Sequence, residues 1–184
     1  MSAHVALPAD GLTARWQTWD ETHDEVLTLR WENEGWTVTG EVGRERVHYV
    51  MRLSPIWHLR QFLLFRDLDD PDLWLATDGH RRWGEMNGAH RTELDGCVDI
   101  ELACTPFTAT PPIRRLDLGI GDSIEMQRVL VDVETLAVIP VQRRYVRTAE
   151  HRYEIHEAES GTTTQIEVDR YGLVTQWSGC YRRR

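Results

Sequence analysis

Asp99 and Glu101 are the first residues whose spacing could do chemistry, because positions i and i+2 of a strand project from one face. Two such carboxylates are the minimum for general acid/base work of the glycosidase kind, in which carboxyls flank the scissile bond. The same pair also serves as a solvent face or as the partner of arginines on a neighbouring strand. No third catalytic element accompanies it. Just downstream lies the most individual stretch of the chain, Thr105-Pro106-Phe107-Thr108-Ala109-Thr110-Pro111-Pro112-Ile113-Arg114-Arg115. Its three prolines lower the entropy lost on ordering, so it reads as a rigid loop that carries the hydroxyls of Thr105 and Thr108. The chain then restarts as a strand at Ile113. Neighbouring arginines on a strand point to opposite faces, so at most one of Arg114 and Arg115 can enter a given cavity; otherwise the segment is a loop crossing whose arginine pairs with Asp99 or Glu101. A guanidinium there could grip a phosphate or carboxylate through two parallel hydrogen bonds.

Other enzyme signatures are missing. The chain has no GxSxG elbow, HExxH pair, Walker loop or GxGxxG turn. Its eight histidines are scattered without an HxH pair, and Cys97, Cys104 and Cys180 form no CxxC. Neither a metal nor a cofactor is expected. The cysteines read as small buried hydrophobes of a reducing compartment, and the terminal Arg182-Arg183-Arg184 as a solvated end. Every basic residue is Arg, so lysine Schiff-base chemistry is excluded. With 30 acidic and 21 basic residues the formal charge is −9, which argues against a general nucleic-acid binder. No apolar run approaches the length of a membrane span, and the first ten residues lack a signal-peptide pattern. The expectation is a cytoplasmic protein.

The elements that would position these residues are short strands. The 184 residues, 41% of them hydrophobic, suit a single domain over 1–184. Turn signals recur throughout, among them Asp69-Asp70-Pro71-Asp72, Asp78-Gly79, Asn87-Gly88 and Asp95-Gly96. Between them apolar and polar residues alternate, as in Trp36-Val38-Gly40, Val98-Ile100-Leu102, Tyr153-Ile155 and Ile166-Val168. This pattern predicts a mainly β protein with little helix, its strands in an antiparallel meander. Residues 54–66 fit either a capped helix or a strand. The strand reading, preferred because both neighbours look like strands, places Trp57, Leu59, Leu63 and Phe65 on one face.

The sequence resembles the bacterial family described as "Putative glycolipid-binding", formerly a domain of unknown function. The resemblance rests on Gly96-Cys97-Val98-Asp99-Ile100, Thr105-Pro106-Phe107-Thr108 and Thr110-Pro111-Pro112-Ile113-Arg114-Arg115-Leu116. Gln142, Tyr145 and Asp169-Arg170-Tyr171-Gly172-Leu173-Val174 extend it, as do Trp57, Arg60 and the Asp78-Gly79 turn before Trp83. It covers nearly the whole chain. Departures occur in Thr-Ala-Thr-Pro-Pro, where the family suggests an asparagine and a leucine, and in Trp177-Ser178-Gly179, where it tends to tyrosine-proline-glycine. The resemblance implies an antiparallel sheet curved into an open half-barrel, like that of the lipoprotein-localisation factors, which hold acyl chains on the concave face.

Three functions are compatible with these readings. The leading one is non-enzymatic binding of an amphipathic lipid or glycolipid, with the acyl part on the concave sheet. Arg114 or Arg115, Tyr145 and Asp99 would meet the polar head, with Thr105 and Thr108 beside it and Trp83 stacked on sugar or chain. The second is a hydrolase using Asp99 and Glu101. The third is a homodimer, a β module whose aromatic face is covered by a second copy of itself.

Overall fold

The structure is a computed structural model that describes residues 4–43, 47–66 and 70–184; Asp69, the first residue of one turn signal, lies outside them. Seven strands come first: β1 (Leu12–Thr18), β2 (Asp24–Glu32), β3 (Gly35–Val42), β4 (Val47–Leu53), β5 (Leu59–Phe65), β6 (Leu73–Thr77) and β7 (Trp83–Glu85). After β8 (Asp99–Leu102) come the only α-helix among the described residues, α1 (Thr110–Leu116), and then six more strands. These are β9 (Ser123–Val131), β10 (Val138–Ala149), β11 (Arg152–Glu157), β12 (Thr163–Val168), β13 (Val174–Trp177) and β14 (Tyr181–Arg183). Strand takes 52% of the described residues and helix 8%, so the protein is mainly β. No helix among the described residues is long and apolar enough to cross a membrane.

All fourteen strands belong to one sheet, ordered β7-β6-β5-β4-β3-β2-β1-β14-β13-β12-β11-β10-β9-β8. The first seven form a meander that winds away from β1, and β9 to β14 form a second that winds back. They meet where β1 pairs with β14, Trp16 opposite Arg183 and Thr18 opposite Tyr181. The three terminal arginines are therefore structural, contrary to the solvated end expected of them. Arg182 pairs with Glu21, Arg183 with Asp169, and Arg184 Nη2 donates to Gln17 Oε1 at 2.6 Å. A run of like charges at a terminus can lie in a ladder when each member has its own acceptor.

Every neighbouring pair is antiparallel except β8 and β9, which are parallel. A parallel pair cannot be joined by a tight turn and needs a crossover. Here the crossover runs through α1. The sheet curls until its two edges approach without pairing as strands: Trp83 Nε1 donates to the Cys97 carbonyl at 3.0 Å and Gly96 N to the Arg81 carbonyl at 2.9 Å. It is not closed into a barrel.

The proline-rich segment is not the expected loop followed by a strand. Thr105 is extended, and its Oγ1 accepts from Phe107 N at 3.0 Å. A 3₁₀ turn over Pro106–Ala109 follows and leads into α1, with Pro111 and Pro112 in its first turn. Backbone amides in a first turn have no intrahelical acceptor, so prolines cost nothing there and their fixed φ favours the start. Arg114 and Arg115 thus sit on a helix, about 100° apart around its axis. This helical segment fills the inside of the curled sheet. Phe107 packs with Trp16, Leu27, Tyr49 and Phe62 of the first meander. Ala109 and Ile113 pack with Tyr145, Tyr153, Ile155 and Ile166 of the second.

Residues 54–58 are a turn and only Leu59–Phe65 form a strand. A register shift against β4, between Arg52 and Leu53, changes the parity. The buried residues are consequently Trp57, Leu59, Phe62 and Leu64, so Leu63 and Phe65 leave the face expected for them. Of the cysteines only Cys97 is buried as expected; Cys104 is half-buried and Cys180 exposed.

Candidate functional site

The inner segment is held by charge at several places. Arg128 on β9 is 1% exposed and lies among its partners. Its Nη1 donates to Tyr145 Oη at 2.7 Å and to Glu101 Oε2 at 3.0 Å. Its Nη2 donates to the carbonyls of Ile100 at 2.5 Å and Thr108 at 2.6 Å. One guanidinium therefore ties β8, β10 and the 3₁₀ turn together. Burial opposes its charge, yet Tyr145, Glu101 and Asp99 hold its pKa above the ordinary arginine value. Arg143 flanks Glu101 from the other side at 2.8 Å and also reaches Glu159 at 2.6 Å.

Arg115 grips the buried Asp99 bidentately, at 2.7 and 2.6 Å, and also donates to the Trp57 carbonyl at 3.3 Å. Arg114 lies 4.5 Å above the Trp57 ring, which stacks on Trp36 at 5.8 Å. It donates to the carbonyls of Tyr171 and Val5. Burial lowers its pKa. At the other end of the segment Tyr49 Oη donates to Glu25 Oε1 at 2.5 Å and lies 3.1 Å from Thr105 Oγ1. The Tyr49 ring crosses β3 directly over Gly40, where any Cβ would collide with it. Burial pushes the Glu25 carboxyl up to about 7 against the hydrogen bonds from Tyr49 and Thr105. Its Oε2 meets no partner among the described residues.

Two openings lie at opposite ends of β8 and β9. The hollow at the Thr105 end has a volume of about 420 Å³ and an apolar wall of Val42, Ala103, Leu130, Val131 and Val133. Thr18, His23, Glu134 and Tyr181 are among its polar residues. Glu25 lies directly across from Val42 in the ladder. The cleft at the Arg115 end measures about 190 Å³ and opens between the two sheet edges. Leu59, Val98, Leu116, Ile124 and Met126 line it together with His58, Arg81 and Arg115.

The seven residues singled out as ligand contacts fall mostly on the anchors. Asp99 is 2% exposed against Arg115; Tyr145 and Trp83 are buried, and burial raises the Tyr145 phenol. Thr105 caps the 3₁₀ turn, and Thr108 is buried with its carbonyl on Arg128. Arg114 braces Trp57. Of the seven, Arg115 is the one that lines either opening. Glu101 likewise is spent on two arginines. Sequence reasoning missed Arg128, Glu25 and Tyr49. The available signal was polar residues at inward positions of otherwise apolar alternations, as in Met126-Arg128 and Glu25-Leu27-Leu29.

The chain belongs to the family described as "Putative glycolipid-binding", which matches residues 13–183. Among solved structures it is similar to a crystal structure of a DUF1089 family protein from Pseudomonas aeruginosa, with a TM-score of 0.74 and 27% identity. That similarity covers 87% of this chain and 92% of the other. No curated protein matches it.

Two outcomes follow from these anchors. Arg115→Ala leaves the Asp99 carboxylate buried and unpaired, and should cost about 3–5 kcal/mol in denaturant unfolding. Arg115→Ala with Asp99→Asn should recover part of that loss, whereas an Arg115 without structural weight would leave the midpoint unchanged. Glu25 keeps its proton in the folded chain up to a pKa of about 7, against about 4.5 when unfolded. Its contribution is therefore largest below about pH 4.5 and falls as pH rises to 7, by about 3 kcal/mol over the interval. Melts of Glu25→Gln and the parent across pH 4–8 should differ in slope between about pH 4.5 and 7 and run parallel above pH 7; parallel curves throughout would contradict the shift.

Proposed function

We propose that the protein binds an amphipathic lipid or glycolipid without chemical turnover, in the hollow at the Thr105 end. The observation that carries this reading is the two-sided lining of that hollow. Five apolar residues form one wall, and the polar residues Thr18, His23, Glu134 and Tyr181 stand beside it. An apolar surface with a few convergent polar groups is what a small-ligand site requires, and 420 Å³ falls in the usual range of about 300–1,000 Å³. The polar groups suit sugar hydroxyls, because the Glu134 carboxylate accepts, and so does the Tyr181 phenol oxygen, whose own proton goes to the Ala103 carbonyl. The family description points the same way. Three cysteines that form no disulfide with one another fit a cytoplasmic setting.

The hydrolase reading loses its support with the ion pairs of Asp99 and Glu101. Carboxylates held by Arg115, Arg128 and Arg143 have no freedom to share a proton with a substrate. Titration with a fluorescent fatty acid and with octyl glucoside tests the proposal. Saturable binding is expected, and Ala103→Trp, which fills the hollow from an exposed position, should weaken it at least about tenfold, the effect of a lost apolar contact of some 50 Å². Binding that is absent, or that survives Ala103→Trp unchanged, would overturn the assignment.

A further inference from the structure

The cleft at the Arg115 end has a different chemistry from the hollow. Its 190 Å³ is too small for a lipid, but it gathers positive charge. Arg81 and Arg115 line it. Arg60 borders it through Gly79, a lining residue: a Cβ on Gly79 would collide with Arg60 Nη1, so the guanidinium occupies the space the glycine leaves. Gly79 also has a φ of +82°, which any other residue adopts only under strain. The charge of Arg115 is matched by Asp99, whereas Arg60 and Arg81 have no ion pair among the described residues. Glu125 is the only acidic side chain in the lining, and it faces Arg144 across the β9–β10 ladder.

His58 lines the same cleft. Its pKa is lowered, first by burial and then by Arg115, with Arg60 and Arg81 adding and Asp99 opposing. Guanidiniums without carboxylate partners, set around a small concavity, are an arrangement that an oxyanion neutralises. Arginine is also suited to phosphate through its planar fork of donors.

We infer that the cleft between the two sheet edges binds a phosphate or carboxylate group, held by Arg81 and Arg60 with Arg115 at its base. Its carrier is either a free anion or the anionic head of an amphiphile whose apolar part stays outside the cleft. The site is separate from the hollow at the Thr105 end and does not depend on what that hollow holds.

Isothermal titration with inorganic phosphate, with dihexanoyl phosphatidate and with octyl glucoside as a neutral control tests the site. Phosphate or phosphatidate should bind, less tightly as salt rises. Arg81→Gln and Arg60→Gln, both at exposed positions, should each weaken that binding about ten- to a hundredfold and leave the melting temperature and octyl glucoside binding unchanged. Equal affinity for the two anions identifies a free oxyanion as the ligand, and phosphatidate binding more than tenfold tighter identifies a headgroup. Absence of millimolar binding to both anions, or wild-type affinity in both variants, would overturn the site. Loss of octyl glucoside binding alone would count against the hollow and leave the cleft standing.

Discussion

The fold depends on one buried charge. A fully buried guanidinium is tolerable only when nearly all its donors are met, since an unpaired ion in the interior costs several kcal/mol. Arg128 meets this condition with Glu101, Tyr145 and two backbone carbonyls. One of those carbonyls belongs to Thr108 in the inner segment and the other to Ile100 in β8. Dispersion and apolar burial would accept many placements of that segment, because contacts of Phe107 and Ile113 are not directional. The hydrogen bonds of Arg128 accept one. Arg115 on Asp99 adds a second fixed point ten residues from Thr105 along the segment.

With the inner segment fixed, the shape of the protein follows. The two meanders each present an apolar inner face and share the segment as a common core, which keeps the sheet curled. Because the segment occupies the middle, the hollow and the cleft lie at its two ends. The end near Thr105 is bounded by apolar strand residues and tyrosine. The end near Arg115 is bounded by arginines and by glycines of the tight turns. Openings of opposite character thus come from a single asymmetric insert, Thr at its start and Arg-Arg at its finish.

The strands were legible because burial on one face imposes a period of two, and Leu27, Leu29, Val38, Tyr153, Ile155, Ile166 and Val168 are all buried as that pattern demands. Parity failed at β5 because a register shift lies outside any local pattern. The inner helix was not legible because Thr-Pro and Pro-Pro are equally the signature of a rigid loop and of a helix start. Packing against both meanders decides between them, and that contact is non-local. The site residues failed in a related way. An arginine named from its neighbours in sequence cannot be divided into anchor or ligand without its partners in space. Arg115 and Arg114 became anchors, and Arg81 and Arg60, which drew no attention as ligands, face or border the cleft.

Native-state hydrogen exchange across Phe107–Asp117 tests the central claim most directly, because it reads the opening free energy of the inner segment by itself. If Arg128 and Arg115 lock the segment to the sheet, its hydrogen-bonded amides, that of Asp117 to the Ile113 carbonyl among them, should exchange only with global unfolding and share the denaturant dependence of β10. Exchange of those amides at a much lower free energy, with little denaturant dependence, would mean that the segment leaves the sheet by itself and that the buried charges do not hold it.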